Sequence, residues 1–473
     1  MAFMIFIVGA CLNSQAADNG VVPAKPNFIF LLTDDQGWTD RTSPADPAYP
    51  DSCRTFFHTP NIDRLAKQGM NFTSGYSPAC VCTPTRRSIQ FGITPARARG
   101  TEFKSELDPA GKLSLPQMIK KNDPSYVCAH FGKWGEYLIG IKSDFGDPRG
   151  EPKNLGYDVS DGFTGNIHGS CESATKFKLI ADNEDPKRIF SMTKKAVDFM
   201  KQRASDSKPF YMQMSYYAIH RSPQARQATI DKYAGKGDPR GGEYTMNLPP
   251  VLDELDTGIG MLLDAVRELG FENNTYIFLG SDNGGACPVK VPVDQPGVPN
   301  RNQPLSEGKG TIREGGVRVP VLVCGPGVPK SAICHTPVAL YDIYATISDF
   351  VGSKEPLSDY IDAASIKDLM LKGDKGKISR PTPGLVFHLP GRVYPHSAMR
   401  RGDLKIFVYW KDKNWAVKNV ELYNLRTDIG EKTDISGQMP DQAKEMTEAL
   451  TAYLKAVNAE PPFYKIVSKP DDR

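Results

Sequence analysis

The sequence predicts an α/β fold, a mixed sheet flanked by helices, with a smaller C-terminal α+β subdomain. Three observations predict it: short apolar runs that stop abruptly at polar clusters, amphipathic helical stretches between them, and a change of texture after Gly376. With 473 residues, 40% of them hydrophobic and 24% charged, the chain has enough apolar material for a large core and is not a disordered polyelectrolyte. The 42 glycines and 38 prolines are high for an enzyme and predict many long, functional loops. Lys plus Arg (58) nearly balances Asp plus Glu (55), and a net +3 excludes a nucleic-acid binder driven by bulk charge.

Taken in chain order, Met1 to Leu12 is almost wholly apolar and is followed by the small residues Ser14, Ala16 and Ala17. It is too short to span a membrane and reads as a leader, residues 1–22, although a basic start is missing. Val8-Gly9-Ala10-Cys11 resembles a lipobox, which makes Cys11 a candidate lipid anchor. The expected location is outside the cytoplasm: periplasmic, lipid-anchored or extracellular.

Phe28 to Leu32 runs into Thr33-Asp34-Asp35, Tyr276 to Leu279 runs into Ser281-Asp282-Asn283-Gly284, and Val319 to Val323 ends at Gly325-Pro326. Continuous runs of this length read as buried strands of a parallel sheet. Thr59-Pro60-Asn61 opens a helix carrying Ile62, Leu65 and Ala66 that stops at Gly69. Leu255, Ile259, Leu262, Leu263 and Val266 recur at helical spacing, closed by Gly270. Residues 23–376 form the expected catalytic domain. In residues 377–473, Ser397–Arg400, Leu404–Trp410 and Val420–Asn424 read as antiparallel strands, followed by a helix from Pro440 to Val457.

Ligands of open α/β sheets collect at the carboxyl ends of strands, where Asp34-Asp35 and Asp282-Asn283 both fall. Their oxygens suit a hard cation, Ca2+ or Mg2+. A strand-terminal Asp pair also serves as a helix cap or turn, so either pair alone says little. Cys82, judged by composition alone, reads as a buried core thiol.

The run Cys82-Thr83-Pro84-Thr85-Arg86 changes that reading, because it resembles the C-x-P-x-R modification motif of the type I sulfatases. Other segments resemble the same family in order: Lys25 to Asp35, Thr59 to Ala66, Gly132-Lys133-Trp134, Ala218-Ile219-His220, Ser281 to Gly284, Gly308 to Thr311, Glu314 to Pro320, Arg400 to Lys405 and Glu421 to Leu425. The resemblance covers nearly the whole mature chain. It implies an alkaline-phosphatase-like fold and sulfate ester hydrolysis. It also implies that a maturation enzyme, formylglycine-generating or anaerobic, oxidises Cys82 to formylglycine. The hydrate of that aldehyde is a geminal diol: one hydroxyl attacks sulfur and the other lets sulfate leave.

By the same resemblance, Asp34, Asp35, Asp282 and Asn283 hold the cation with position 82. Arg86 orients the diol, Lys133 and Lys309 grip the sulfate oxygens, and His220 protonates the leaving alcohol. The pattern departs at one place: the histidine that commonly follows G-K-W is Gly135 here. His168 is a candidate substitute or substrate contact. His388 and Arg392 are candidate contacts to the sugar and to a second anionic group. The expected substrate is a sulfated oligo- or polysaccharide. A phosphonate or phosphodiester hydrolase of the same fold, and a catalytically silent glycan-binding lipoprotein, are the alternatives. Apart from Cys11 and Cys82, seven cysteines remain, enough for at most three disulfides with no pairing assigned.

Overall fold

The structure is a computed structural model that describes residues 22–102, 105–135, 138, 150–162, 164–169, 184–220, 224–236, 248–286 and 301–464. Its centre is an eight-stranded sheet. In chain order the strands are β1 (Asn27–Thr33), β2 (Met70–Phe72), β3 (Val127–Gly132), β4 (Val159–Ser160), β5 (Phe210–Ser215), β6 (Thr275–Ser281), β7 (Val321–Cys324) and β8 (Ala332–Cys334). They lie in the order β4-β3-β5-β1-β6-β7-β2-β8.

The first five strands of that order run parallel, so the predicted strands at Phe28 and Tyr276 are central neighbours. The third predicted strand departs from the expectation of a parallel sheet. β7 pairs antiparallel with β6, Ile277 opposite Cys324, because a long loop after Ser281 returns the chain to the sheet from its carboxyl end. An apolar run carries no sign of direction, which is why the sequence could not show this.

β1 is buried on both faces, and its alternation sorts the helices. Phe28, Phe30 and Leu32 share a core with Ile89 and Phe91 of α1 (Cys82–Phe91) and with Ile343 and Ile347 of α4 (Asp342–Phe350). Ile29 and Leu31 face Met192 and Ala196 of α2 (Ile189–Asp206) and Leu255 and Ile259 of α3 (Leu248–Glu268). Each of these side chains other than Ala196 contributes about 1.5–3 kcal/mol on burial. The helix predicted after Thr59 spans Pro60–Gln68 and is capped through tertiary contact: the Asp256 carboxylate of α3 accepts from the Asn61 and Ile62 amides at 2.8–3.0 Å.

The C-terminal part is an antiparallel sheet of β9 (Leu385–Leu389), β10 (His396–Arg401), β11 (Leu404–Trp410) and β12 (Val417–Asn424), with the helix α5 (Pro440–Ala456). Val386, Met399, Ile406, Val408 and Leu422 pack beneath α5, while Leu385, Phe387, Ala398 and Phe407 join the core of the large sheet.

A buried ionic cluster stitches the two parts together. Lys405 bonds Glu314 at 2.8 Å and Glu431 at 2.9 Å, and all three side chains are shut off from solvent. Arg318 and the Tyr76 hydroxyl also reach the Glu314 carboxylate. Burial opposes its ionisation, but Lys405, Arg318 and Arg400 pull Glu314 down to about 2.

Cys53, Cys80, Cys82, Cys128, Cys324 and Cys334 are all free thiols, so none of the disulfides that the cysteine count would allow forms among the described residues. Cys11, Cys171 and Cys287 lie outside them. No helix of the described residues is long and apolar enough to cross a membrane.

Candidate active site

The site grows from the carboxyl ends of four adjacent parallel strands. Gly132 of β3, Ser215 of β5, Leu32 of β1 and Gly280 of β6 lie in one row across the sheet. One or two residues further on, each strand breaks into the segment that carries Lys133, His220, Asp34-Asp35 or Asp282-Asn283. Backbone bonds hold those segments together. Lys133 N donates to Ser215 O at 2.8 Å, Asp34 N to Ala218 O at 2.9 Å, and Asp282 N to Thr33 O at 3.0 Å.

Cys82 is the first residue of α1 and is buried. The opposite loop is seated against it, since Gly310 N donates to Cys80 O at 2.9 Å and thereby fixes Lys309. Arg86, one turn along α1, is 2% exposed and forks onto Asp282 Oδ2 at 2.6 and 3.0 Å, with its third nitrogen on the Lys133 carbonyl at 2.9 Å. Lys133 Nζ reaches Asp34 Oδ2 at 2.5 Å, and Lys309 Nζ reaches Asp35 Oδ1 at 2.5 Å. Arg86, Lys133 and Lys309 all lie within electrostatic reach of the Cys82 sulfur.

The electrostatics follow from burial set against pairing. Burial would raise the Asp35 carboxyl, but the charges of Lys309 and His220 hold it well below the usual carboxylate range. Burial and the neighbouring Asp34 charge push Asp282 up, against Arg86 and Lys133. Burial opposes the charge on Lys309 and Lys133, but Asp35 and Asp34 respectively keep both above the ordinary lysine value. Three carboxylates therefore face Arg86, Lys133 and Lys309, and those six charges cancel, with His220 beside them.

The donor set fits a divalent cation. Asp34 Oδ1 and Asn283 Oδ1 are buried oxygens with no hydrogen-bond partner, an arrangement that costs free energy unless something positive meets them. Asp34, Asp35 and His220 bring ligand-capable atoms within 4.8 Å of one another. All donors but the imidazole are oxygen, as a hard cation prefers.

The site is braced by residues that the sequence reading missed. Arg301 donates to the Asp35 carbonyl at 3.0 Å and pairs with Asp40, both buried, which holds Asp35 in its left-handed conformation of φ 63°. Lys187, itself buried, donates to the His220 carbonyl at 2.9 Å. Gly284 is required by close approach, because a Cβ there would stand 1.9 Å from the Gly315 carbonyl oxygen. No periodicity or spacing marks Arg301 or Lys187, whose partners lie far away in sequence.

Gly135, where a histidine was expected, has φ 73°, and among the described residues no atom beyond its chain neighbours lies within 4 Å of where a Cβ would be. The nearest imidazole in sequence, His130, is sealed beside Trp134 and Tyr157, where burial and the Arg86 charge lower it to about 3. It stays neutral and does not replace the missing group as a titrating partner. The side chain of His168 lies outside the described residues.

His388 is a correction. Its ring is 4% exposed, Nδ1 is bonded to Ser397 Oγ at 2.7 Å, and Nε2 is bonded to the Glu460 carbonyl at 2.8 Å. Both nitrogens are spent inside the C-terminal subdomain, so the residue is a structural pin and not a sugar contact. The Arg392 guanidinium bonds Glu102 at 2.8 Å and acts on the sulfur of Cys80, two residues before Cys82.

The sequence profile of the sulfatases matches residues 26–353, more than half of the chain. The chain belongs to the sulfatase family. It is therefore a sulfuric ester hydrolase by family. It is 26% identical to the N-acetylgalactosamine-6-sulfatase of Mus musculus, over 94% of this chain and 82% of that protein. It is 25% identical to a sulfatase of Formosa agariphila, over 92% of this chain and 90% of that one. Among solved structures, Ps i-CgsB in complex with k-i-k-neocarrahexaose superposes with a TM-score of 0.70 at 22% identity, over 94% of this chain and 95% of that one. The phosphonate monoester hydrolase of Agrobacterium radiobacter superposes at 0.65 with 15% identity, over 91% of this chain and 96% of that one, so this sulfatase shares its fold with a neighbour of different chemistry. The expected alkaline-phosphatase-like architecture is thereby borne out. Sulfatases generally use formylglycine and a divalent cation, and both bear on the pocket just described.

Proposed function

We propose that this sulfatase removes sulfate from a sulfated oligo- or polysaccharide, with Cys82 converted to formylglycine and Asp34, Asp35, Asp282 and Asn283 holding a divalent cation, Ca2+ or Mg2+. The observation that carries the reading is the gathering of Arg86, Lys133 and Lys309 on Asp282, Asp34 and Asp35, within electrostatic reach of Cys82 and beside buried carboxylate and amide oxygens that have no protein partner. When present, the formylglycine hydrate supplies an attacking hydroxyl and a second hydroxyl for sulfate release, and the cation supplies positive charge at the sulfate oxygens.

The chain's own residues do the remaining work. Arg86 cannot swing, because Asp282 and the Lys133 carbonyl occupy its nitrogens, so it fixes the direction of the group at position 82. Lys133 and Lys309 present point charges to the ester's anionic oxygens. His220, steadied through its carbonyl by Lys187, gives a proton to the leaving sugar oxygen. With protein charges cancelling, a divalent cation leaves the pocket net positive, which favours an anionic ester. The guanidinium of Arg392, beside Cys80 and paired with Glu102, is the group we assign to a further anionic group of the substrate.

The apolar leader at residues 1–22, with Cys11 as the lipid anchor, supports an exported enzyme that meets extracellular glycans and a maturation enzyme that acts on Cys82. Gly135 favours the silent glycan-binding reading, but the intact set of Asp34, Asp282, Lys133, Lys309 and His220 speaks against it. The test is peptide mass spectrometry of active enzyme together with sulfate release from a panel of defined sulfated saccharides, with a phosphonate ester as a parallel arm. Unmodified Cys82 thiol throughout a fully active preparation would sink the mechanism. Turnover of the phosphonate alone would select the alternative.

A further inference from the structure

A cavity of about 260 Å3 opens on the C-terminal subdomain, away from the row of strand ends, and none of the site residues above lines it. Its lining is aromatic and polar together: Tyr394, Tyr409 and Tyr464 with Lys418, Asn419 and Glu421. Tyr394 is 61% exposed and Tyr464 45%, large values for aromatic side chains on a soluble surface. Lys418 Nζ stands 5.2 Å from the Tyr394 ring centroid and is in no ion pair among the described residues. Flat rings offer faces to the C–H surface of a sugar, amide and carboxylate groups accept or donate to its hydroxyls, and an uncommitted ammonium suits a sulfate. The volume is of the size of a single sugar ring, below that of pockets for larger ligands.

Two connections tie this cavity to the catalytic mouth. Arg313 donates to Glu421 at 2.6 Å and to the Tyr409 hydroxyl at 3.2 Å, and it lies four residues after Lys309, a stretch that spans at most about 14 Å. On the other side Arg392, which acts on Cys80, pairs its backbone with Tyr464. Arg392 thus links the neighbourhood of Cys80, two residues before Cys82, to one wall of the cavity.

We infer that this cavity is a distal saccharide subsite, which holds a further sulfated ring of the glycan whose ester is cleaved at Cys82. Tyr394 and Tyr464 stack on the ring, and Lys418 meets its sulfate. The inference rests on the carbohydrate reading given above.

The experiment compares wild-type holoenzyme with Tyr394→Ala and Lys418→Ala, both at exposed side chains, on three sulfated hexasaccharides (chondroitin, heparan and carrageenan types), on the sulfated monosaccharides, and on 4-nitrocatechol sulfate. The expected result is a KM raised about tenfold on the hexasaccharide that wild type cleaves, with kcat retained and with the small substrates changed less than about twofold. If wild type cleaves a hexasaccharide but neither substitution moves its KM, the distal subsite is refuted and the carbohydrate reading stands. An equal loss on 4-nitrocatechol sulfate also refutes it, because the effect then lies in the catalytic pocket. If wild type cleaves the aryl sulfate but no saccharide, the carbohydrate reading fails and the subsite with it.

Discussion

Replacing Lys405 by Met tests whether the buried ionic cluster holds the catalytic loop in place. The side chain is fully buried between Glu314 at 2.8 Å and Glu431 at 2.9 Å, so methionine fills the volume and removes only the charge. Holding Glu314 near 2 instead of 4.5 corresponds to roughly 3 kcal/mol, and breaking a buried pair on one side costs about 3–5 kcal/mol in general. For 473 residues the unfolding entropy is about 1 kcal/mol per degree, so the midpoint should fall by about 3–5 °C. Glu314 sits five residues after Lys309, and its amide bonds Glu431, so kcat/KM for sulfate release should fall with stability. The sign with pH is fixed by the depressed carboxyl. Its stabilisation is complete above about 4.5 and fades as the pH falls toward 2, so the gap between wild type and variant should narrow in acid. Differential scanning fluorimetry from pH 2 to 8, which spans that window and the plateau above it, reads this, with the Glu314→Gln/Lys405→Met double variant closing a cycle. A drop below 1 °C, or strict additivity in the cycle, refutes the reasoning.

Lys187→Met should cut kcat about tenfold and move the limb of the pH–rate profile that reports His220, with partial recovery in Lys187→Arg; an unchanged profile would show that Lys187 serves packing alone. His388→Leu should cost about 1–3 kcal/mol by stranding the Glu460 carbonyl and leaving Ser397 with Trp410 alone, while KM stays put; a raised KM at unchanged stability would return the residue to the substrate. Burial lowers His388 to about 4, so its contribution is complete above 6.5 and is lost as pH falls toward 4, a slope that His388→Leu should flatten. Calorimetry of the Cys82→Ala protein should find one tight site for Ca2+ or Mg2+ that Asp35→Asn weakens and that raises the melting temperature on binding; equal titration in both proteins would assign the cation elsewhere.

What the sequence made legible is what depends on short range. β1 and β6 were readable because strands buried on both faces are continuous apolar runs, and their acidic ends were readable because sheets of this type expose ligand groups there. Cys82, Arg86, Lys133 and Lys309 rested on motif resemblance, and the structure brings all four together. The direction of β7 was not legible, nor was the work of Glu314 and Lys405: both lay in recognised segments, but they meet across 91 residues of chain. His388 was misread for the same reason, since one of the groups that occupies its ring, the Glu460 carbonyl, lies 72 residues away. Arg301 and Asp40 stand 261 residues apart and left no trace in any local pattern.

These long-range partners also explain how a site with so many charges stays ordered. Asp34, Asp35 and Asp282 carry like charges, and nothing local would keep them from repelling. Arg86, Lys133 and Lys309 each approach from a different segment and neutralise one carboxylate apiece. The segments of the site are held in turn by contacts that avoid the reacting groups: Lys133 N on the Ser215 carbonyl, Gly310 on Cys80, Arg301 on the Asp35 carbonyl, Glu314 on Lys405. Because the cations are spent on carboxylates in the protein itself, anion affinity at Cys82 must come from whatever relieves that pairing. A divalent cation against Asp34 Oδ1 and Asn283 Oδ1 would do so, since it competes for the same carboxylates and frees the lysine charge for an ester. Substrate binding should therefore depend on the cation more steeply than the fold does.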